Sequence, residues 1–218
     1  MLIMKPTKAP KRRTRNLEKS RREILDVAFF EVFTRGFQGV SVDDIVKKTS
    51  LTKGAFYHHF PTKLDLGYAL VEEVVTPMIL DRWITPLKDF KNPLEGILQR
   101  LDTLIGRADP KELRWGCPLN NLVQEMAPVD AGFRKRLERA LTLWIDEMDQ
   151  QLQRARRDGY LSPNVRTRDV AHFLVMTHEG FYGLLKGLHD PKAFDVLYSS
   201  LKRYFQTIET QPLTRRNS

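Results

Sequence analysis

The sequence predicts an all-α protein, with a three-helix unit near its N-terminus and a larger helical domain behind it. Three observations predict this. Apolar residues recur at three-four spacing along most of the chain, and no stretch shows the period of two that marks a strand. Proline and glycine fall between the periodic runs, as stops do. Charge is divided unevenly: residues 1–63 carry 14 Lys/Arg against 6 Asp/Glu, while residues 64–218 carry 22 against 21. A basic N-terminal module that faces a polyanion, followed by a near-neutral remainder with another task, is what this division implies. With 41% hydrophobic residues and 12 Phe, the chain can bury a core.

Residues 1–15 are basic and proline-containing with little to bury, so they are expected as a disordered tail. The unit over 16–62 then opens with a helix whose Leu25, Ala28, Phe29, Val32 and Phe33 share one face, and Gly36 stops it. Ser41 caps a short second helix, with Asp43 and Asp44 in its first turn and Val42, Ile45 and Val46 facing inward. After a tight turn Thr52 caps a third helix that runs to Phe60, where Pro61 ends it and Thr62 caps the next. Isolated helices under ~12 residues are marginal, so the third must be held by packing through Ala55, Phe56 and Phe60. Lys53, Gly54, Tyr57 and His58 are left on its other face. A long helix and two short ones with a tight turn between them are the plan of a helix-turn-helix DNA-binding unit.

Over 63–218 the expected helices are 63–88 (interrupted at Pro77 and Pro86), 93–108, 117–126, 130–158, 167–189 and 191–209. Pro93, Pro110 and Pro128 start or break elements, Gly159 ends the long one, and Ser162-Pro163 marks the loop after it.

Several functions are excluded or disfavoured. One cysteine, Cys117, allows neither an internal disulfide nor a cysteine-based zinc cage. The start "MLIMKPTKAPKRRTR" lacks the order of a secretory signal, and no stretch nears the ~20 apolar residues of a membrane span, so a soluble cytoplasmic protein without membrane partners is expected. The chain carries no P-loop, G-x-G-x-x-G, H-E-x-x-H or G-x-S-x-G, so no enzyme and no cofactor are expected. His58 and His59 are adjacent, point about 100° apart on a helix and do not chelate one ion, so no metal site is expected.

The stretch "VSVDDIVKKTSLTKGAFYHHFPTKLDL" resembles the helix-turn-helix of the TetR family of bacterial transcription repressors. Gly36-Phe37, the helix opening at Ser41, Lys53-Gly54, the Tyr57-His58-His59-Phe60 run and Lys63-Leu64 all fall at the family's spacing, over roughly residues 18–70. One departure is Ser50, where the family commonly has glycine between the two short helices. Behind this unit the resemblance is in architecture, with "GCPLNNLVQEM" similar to one C-terminal subgroup. The resemblance implies that residues 52–59 enter the major groove of a double-stranded DNA operator. Thr52 then meets a phosphate from a helix N-terminus, and Lys53 donates to guanine acceptors. Gly54 lets the backbones approach. Tyr57 and His58 reach phosphate or base, while Lys63 and Ser41 clamp the backbone. His59 is expected half-buried in packing. Lys11, Arg12, Arg13 and Arg15 form either a solvated run attracted to phosphate or a minor-groove arm.

A neutral helical domain behind a DNA reader suggests a sensor for an unknown small-molecule effector. Trp83, Trp115, Trp144, Phe173, Met176, His178, Phe181 and Tyr182 are its candidate pocket residues, against the alternative of ordinary core. Cys117 joins them, either as a thiol sensor of electrophiles or oxidants, its pKa lowered by a helix N-terminus and Arg114, or as a small buried residue. Ala171, Leu174 and Val175 on one helix and Phe194, Leu197, Tyr198, Leu201 and Phe205 on the next are the expected homodimer face, by likeness to the family's four-helix bundle. The implied mechanism is repression, released when effector moves the helix from Thr62 onward, with Pro77 as its bend. Activation rather than repression stays open.

Overall fold

The computed structural model describes residues 11–108, 113–188, 190 and 192–210, and side chains from Asn16 onward. The chain falls into two compact units, one up to Leu70 and one from Val71.

The first unit holds four helices: α1 (Lys11–Arg35), α2 (Val42–Val46), α3 (Lys53–His59) and α4 (Lys63–Ala69). Helix α1 begins earlier than expected, because Lys and Arg are good helix formers and neither proline nor glycine interrupts residues 11–35. Residues 1–10 of the expected tail lie outside the described residues, as do the side chains of Lys11, Arg12, Arg13 and Arg15. Gly36 closes α1 at φ 80°, a left-handed conformation that glycine adopts without a Cβ clash. Helix α4 goes with this unit rather than opening the second, since Leu66 and Ala69 are buried with the unit's own core.

Caps and ion pairs position the two short helices. Ser41 and Asp44 form a capping box at α2, as do Thr62 and Asp65 at α4, and Thr52 Oγ1 accepts from Ala55 N at 3.2 Å to open α3. From α1, Glu31 reaches Lys48 at 2.6 Å and Arg35 at 3.2 Å while only 2% exposed. The Lys48 hydrogen bond is the chief cause holding its carboxyl below the usual range. Glu23 accepts from the Ser50 backbone N–H at 2.5 Å and from its hydroxyl at 3.0 Å, which fastens the turn between α2 and α3 to α1. The serine that departs from the family's glycine therefore supplies a bond that glycine lacks. Phe56 and Phe60 are fully buried, as are Ile24, Leu25, Ala28 and Ile45 of the same unit, so packing holds α3 in place.

The second unit contains α5 (Thr76–Trp83), α6 (Pro93–Leu101), α7 (Pro118–Met126), α8 (Ala131–Arg157), α9 (Thr167–Leu188) and α10 (Ala193–Ile208). The single helix expected over 63–88 is divided. Pro77 cannot donate to the carbonyl four residues back and its ring crowds it, so the ladder widens into a π turn over Leu70–Val75 before α5. Thr76 Oγ1 donates to the Val71 carbonyl at 2.7 Å inside that widened turn. Pro86 sits in a 3-10 turn over Thr85–Asp89, whose Leu87 and Phe90 carbonyls accept from the Arg154 guanidinium of α8 at 2.6 and 2.8 Å. A second π turn, Asp102–Gly106, ends the 93–108 run. The remaining helices fall within a few residues of expectation. Helices α8 and α9 pack along each other as the backbone of the unit, and α6 and α10 close over them.

Candidate nucleic-acid interface and sensor cavity

Helix α3 presents a polar outer face on an apolar inner one. Thr52, Lys53, Gly54, Tyr57 and His58 are exposed together, while Phe56 beneath them is buried. Tyr57 is 44% exposed and packs only an edge of its ring on Phe56, at 5.3 Å, so ordinary core packing does not account for it. A Cβ on Gly54 would meet nothing nearer than Thr52 Oγ1 at 3.8 Å. Glycine costs a helix about 1 kcal/mol relative to alanine. Among the described residues no close packing requires the missing Cβ, so contacts within the protein do not account for this glycine. His59 is half-buried, and burial first, then His58 and Arg21, hold its imidazole below the usual pKa.

Three expected contacts are engaged within the protein. Lys53 Nζ pairs with Asp43 of α2 at 2.8 Å, both side chains about half exposed. Asp43 was visible in the sequence only as a charge for the helix dipole, because its partner lies ten residues on across a turn. The Ser41 hydroxyl is committed to the α2 cap, donating to Asp44 at 2.8 Å and accepting its N–H at 3.0 Å. The Lys63 ammonium sits 4.6 Å over the Phe37 ring and is half-buried.

In the second unit, residues of α5, α6, α8, α9 and α10 enclose a cavity of about 30 Å³. Trp83, Ile97, Leu101, Trp144, Met148, Leu174, Val175, Thr177, His178, Leu197 and Leu201 line it. Of the expected pocket residues, Trp83, Trp144 and His178 meet there. The His178 ring stands edge-on to Trp83 at 4.8 Å, Trp144 at 5.0 Å and Tyr182 at 4.9 Å. The buried Trp144 indole N–H has no hydrogen-bond partner among the described residues. Phe181 and Tyr182 are buried next to this group without lining the cavity. Three expectations fail. Phe173 and Met176 lie on the outer side of α9, with Phe173 packed on Tyr204 at 4.7 Å and Met176 63% exposed. Trp115 is half-buried under Arg114, 4.4 Å from its ring, away from the lining.

Cys117 is the N-cap of α7 and buried. The expected lowering of its pKa is overturned: burial pushes the thiol well up and the Glu179 carboxylate adds to this, outweighing the N–H groups of Asn120 and Leu119.

Residues 24–70 match the profile described as "Bacterial regulatory proteins, tetR family", and residues 93–201, half of the chain, match "Tetracyclin repressor-like, C-terminal domain". The chain belongs to the TetR family of transcriptional regulators. It is 26% identical over 195 residues to an uncharacterized HTH-type transcriptional regulator of Lactococcus lactis, covering 88% of this chain and 96% of that one. It is 31% identical over 137 residues to the transcriptional regulator AcuR of Cereibacter sphaeroides, covering 59% of this chain and 58% of AcuR. The crystal structure of a TetR-family regulator from Cytophaga hutchinsonii has the same fold, with TM-score 0.80 at 18% identity over 90% of this chain and 98% of that one. These relatives are regulators rather than enzymes. Among the described residues no helix is long and apolar enough to cross a membrane.

In this TetR-family chain the expected dimer residues point the wrong way. Ala171, Leu174, Val175, Leu197, Leu201 and Phe205 are buried in the unit's own core, and four of them line the cavity. Phe194 and Tyr198 are half-buried, 5.8 Å apart, with Phe194 packed close to Gly106. The outer faces of the same helices carry Phe173, Met176, Leu184, Leu188 and Val196 exposed, and Gly180, Gly183 and Gly187 open to space. Both faces of α9 are apolar, so helical spacing could not say which one turned inward.

Proposed function

We propose that this chain is a cytoplasmic homodimeric repressor that holds a palindromic operator through α3 and releases it when a small effector enters the second unit. The observation that carries the reading is the outer face of α3, where Thr52, Lys53, Gly54, Tyr57 and His58 are exposed together on a helix whose other side is buried. Such a face fits a major groove, with side chains for base edges and a helix N-terminus for phosphate. Two copies supply two half-sites. The dimer face that fits is the outer side of α9 and α10, where apolar residues and glycines allow two helix pairs to approach.

The cavity lining supports an effector that is mainly apolar. The space of about 30 Å³ left between its side chains is small for an organic ligand. Binding therefore has to part the helices, and that coupling is what moves the operator equilibrium: effector shifts it only through its preference for the opened state. The π turn before Pro77 is the weak point of the connecting helix through which such motion passes. A thiol switch at Cys117 is the weaker reading, since its thiol is buried and protonated.

The test is a screen of small apolar compounds by tryptophan fluorescence, followed by operator release. A compound that both quenches fluorescence and frees DNA should free less DNA in Trp144→Phe, which removes the indole from the cavity lining. Release that is undiminished in that variant would place the effector elsewhere.

A further inference from the structure

Cys117, His178 and Glu179 bring a sulfur, a nitrogen and an oxygen donor within 4.8 Å of one another, where the N-cap of α7 meets the middle of α9. Cys117 and His178 are buried, and the Glu179 side chain is 16% exposed. His178 Nδ1 stands 2.9 Å from Glu179 Oε1, and the Cys117 sulfur lies within 4.8 Å of both groups. No lysine or arginine pairs with Glu179 among the described residues, so a largely buried carboxylate lies with a thiol, an imidazole and the neighbouring Tyr182 phenol. A carboxylate removed from water ordinarily keeps a cationic partner or a metal.

We propose that these three residues form a binding site for a divalent cation of the zinc class. The donor set matches what zinc takes, thiolate, imidazole nitrogen and carboxylate oxygen, whereas calcium and magnesium take oxygen alone. The charges also balance: one thiolate, one carboxylate and a neutral imidazole cancel a divalent ion, and the thiol proton leaves to solvent as the ion enters. Around a tetrahedral zinc, donors stand roughly 3.3–3.8 Å apart, so the cluster closes by about an ångström, within reach of side-chain rotation. The His178 ring is already oriented by Trp83, Trp144 and Tyr182 packed edge-on around it. The ion would tie α7 to α9 beside the cavity, and the proposal stands whether or not an effector enters there.

Cys117 is the only cysteine, so a thiolate–metal absorption band can arise from one position alone. The experiment is titration of the full chain with cobalt(II), after stripping with a chelator under anaerobic, reducing conditions. Expected are one equivalent bound, a thiolate-to-cobalt band in the near ultraviolet, tetrahedral bands in the visible, and loss of both on adding zinc. Cys117→Ser should lose the ultraviolet band, and Glu179→Gln should weaken binding about tenfold or more with helical circular dichroism unchanged. A wild-type protein with no thiolate band overturns the proposal without recourse to any variant. So does a band whose cobalt affinity is the same in wild type, Glu179→Gln and His178→Asn, since that is a lone cysteine adduct.

Discussion

Lys53 and Asp43 form a competition that the free protein settles in favour of Asp43, 2.8 Å away. To donate to a base edge, Lys53 must give up that carboxylate, and Asp43 also brings negative charge toward the phosphates. Asp43→Asn should therefore raise affinity for operator and for random DNA alike, and lower the ratio between them. Lys53→Ala should instead cost about 1–3 kcal/mol on operator and little on random DNA. Fluorescence anisotropy with both DNAs at two salt concentrations checks the pair, and unchanged ratios in both variants would remove Lys53 from base readout. Gly54 gives a sharper separation. Gly54→Ala has open space for its methyl and a better helix former, so the fold should gain up to about 1 kcal/mol while operator binding falls. Denaturant melts beside binding curves check it. Intact binding would mean that glycine is not there for close approach. The exposed set on α3 was legible in the sequence because burying Phe56 and Phe60 leaves only one other face. Asp43, Glu31 and Glu23 as partners were not legible, since pairings across a turn or between helices leave no periodic trace.

Glu31 shows how an element is held rather than how it reads. It links α1 to Lys48 just beyond α2, and its carboxyl sits below the usual range chiefly through the Lys48 hydrogen bond. A depressed carboxyl contributes stability that is present above its unfolded pKa and lost as pH falls through its folded one. Wild type should thus lose this part of its stability on the acid side of the ordinary glutamate range. Glu31→Gln should be less stable by about 1–3 kcal/mol at neutral pH, with the gap closing as pH falls through that range. Urea midpoints against pH check this, and a gap constant with pH would mean that Glu31 acts by packing alone. Helix positions were largely legible from caps and breakers, Ser41, Thr52, Thr62 and Gly36 among them. The π turns were not. Pro77 announces a disturbance in a helix, but whether the ladder breaks, kinks or widens depends on what the neighbouring carbonyls can find, here the Thr76 hydroxyl.

For the whole molecule, the proposed dimer needs a surface that a single chain leaves open. The proposed surface is the outer sides of α9 and α10, with Leu184 and Leu188 at 60% and 65% exposure. Leu184→Glu should leave the fold intact, since the side chain has little to lose in the protomer, but convert the dimer to monomer in sedimentation and weaken operator binding by the loss of the second half-site. A dimer that persists would put the interface elsewhere. Sequence alone pointed to the inner stripe because both faces of α9 are apolar and helical spacing does not say which one turns inward. The central claim is sequence-specific DNA reading by a symmetric pair of α3 helices, and one measurement meets it directly. It is a footprint of the wild-type protein on the DNA upstream of its own gene, in excess random competitor. A protected near-palindrome with two half-sites about one helical turn apart or a multiple of that is the predicted result. Protection that random DNA abolishes, there and in a selection from genomic fragments, would contradict it and leave α3 as a reader of phosphate only.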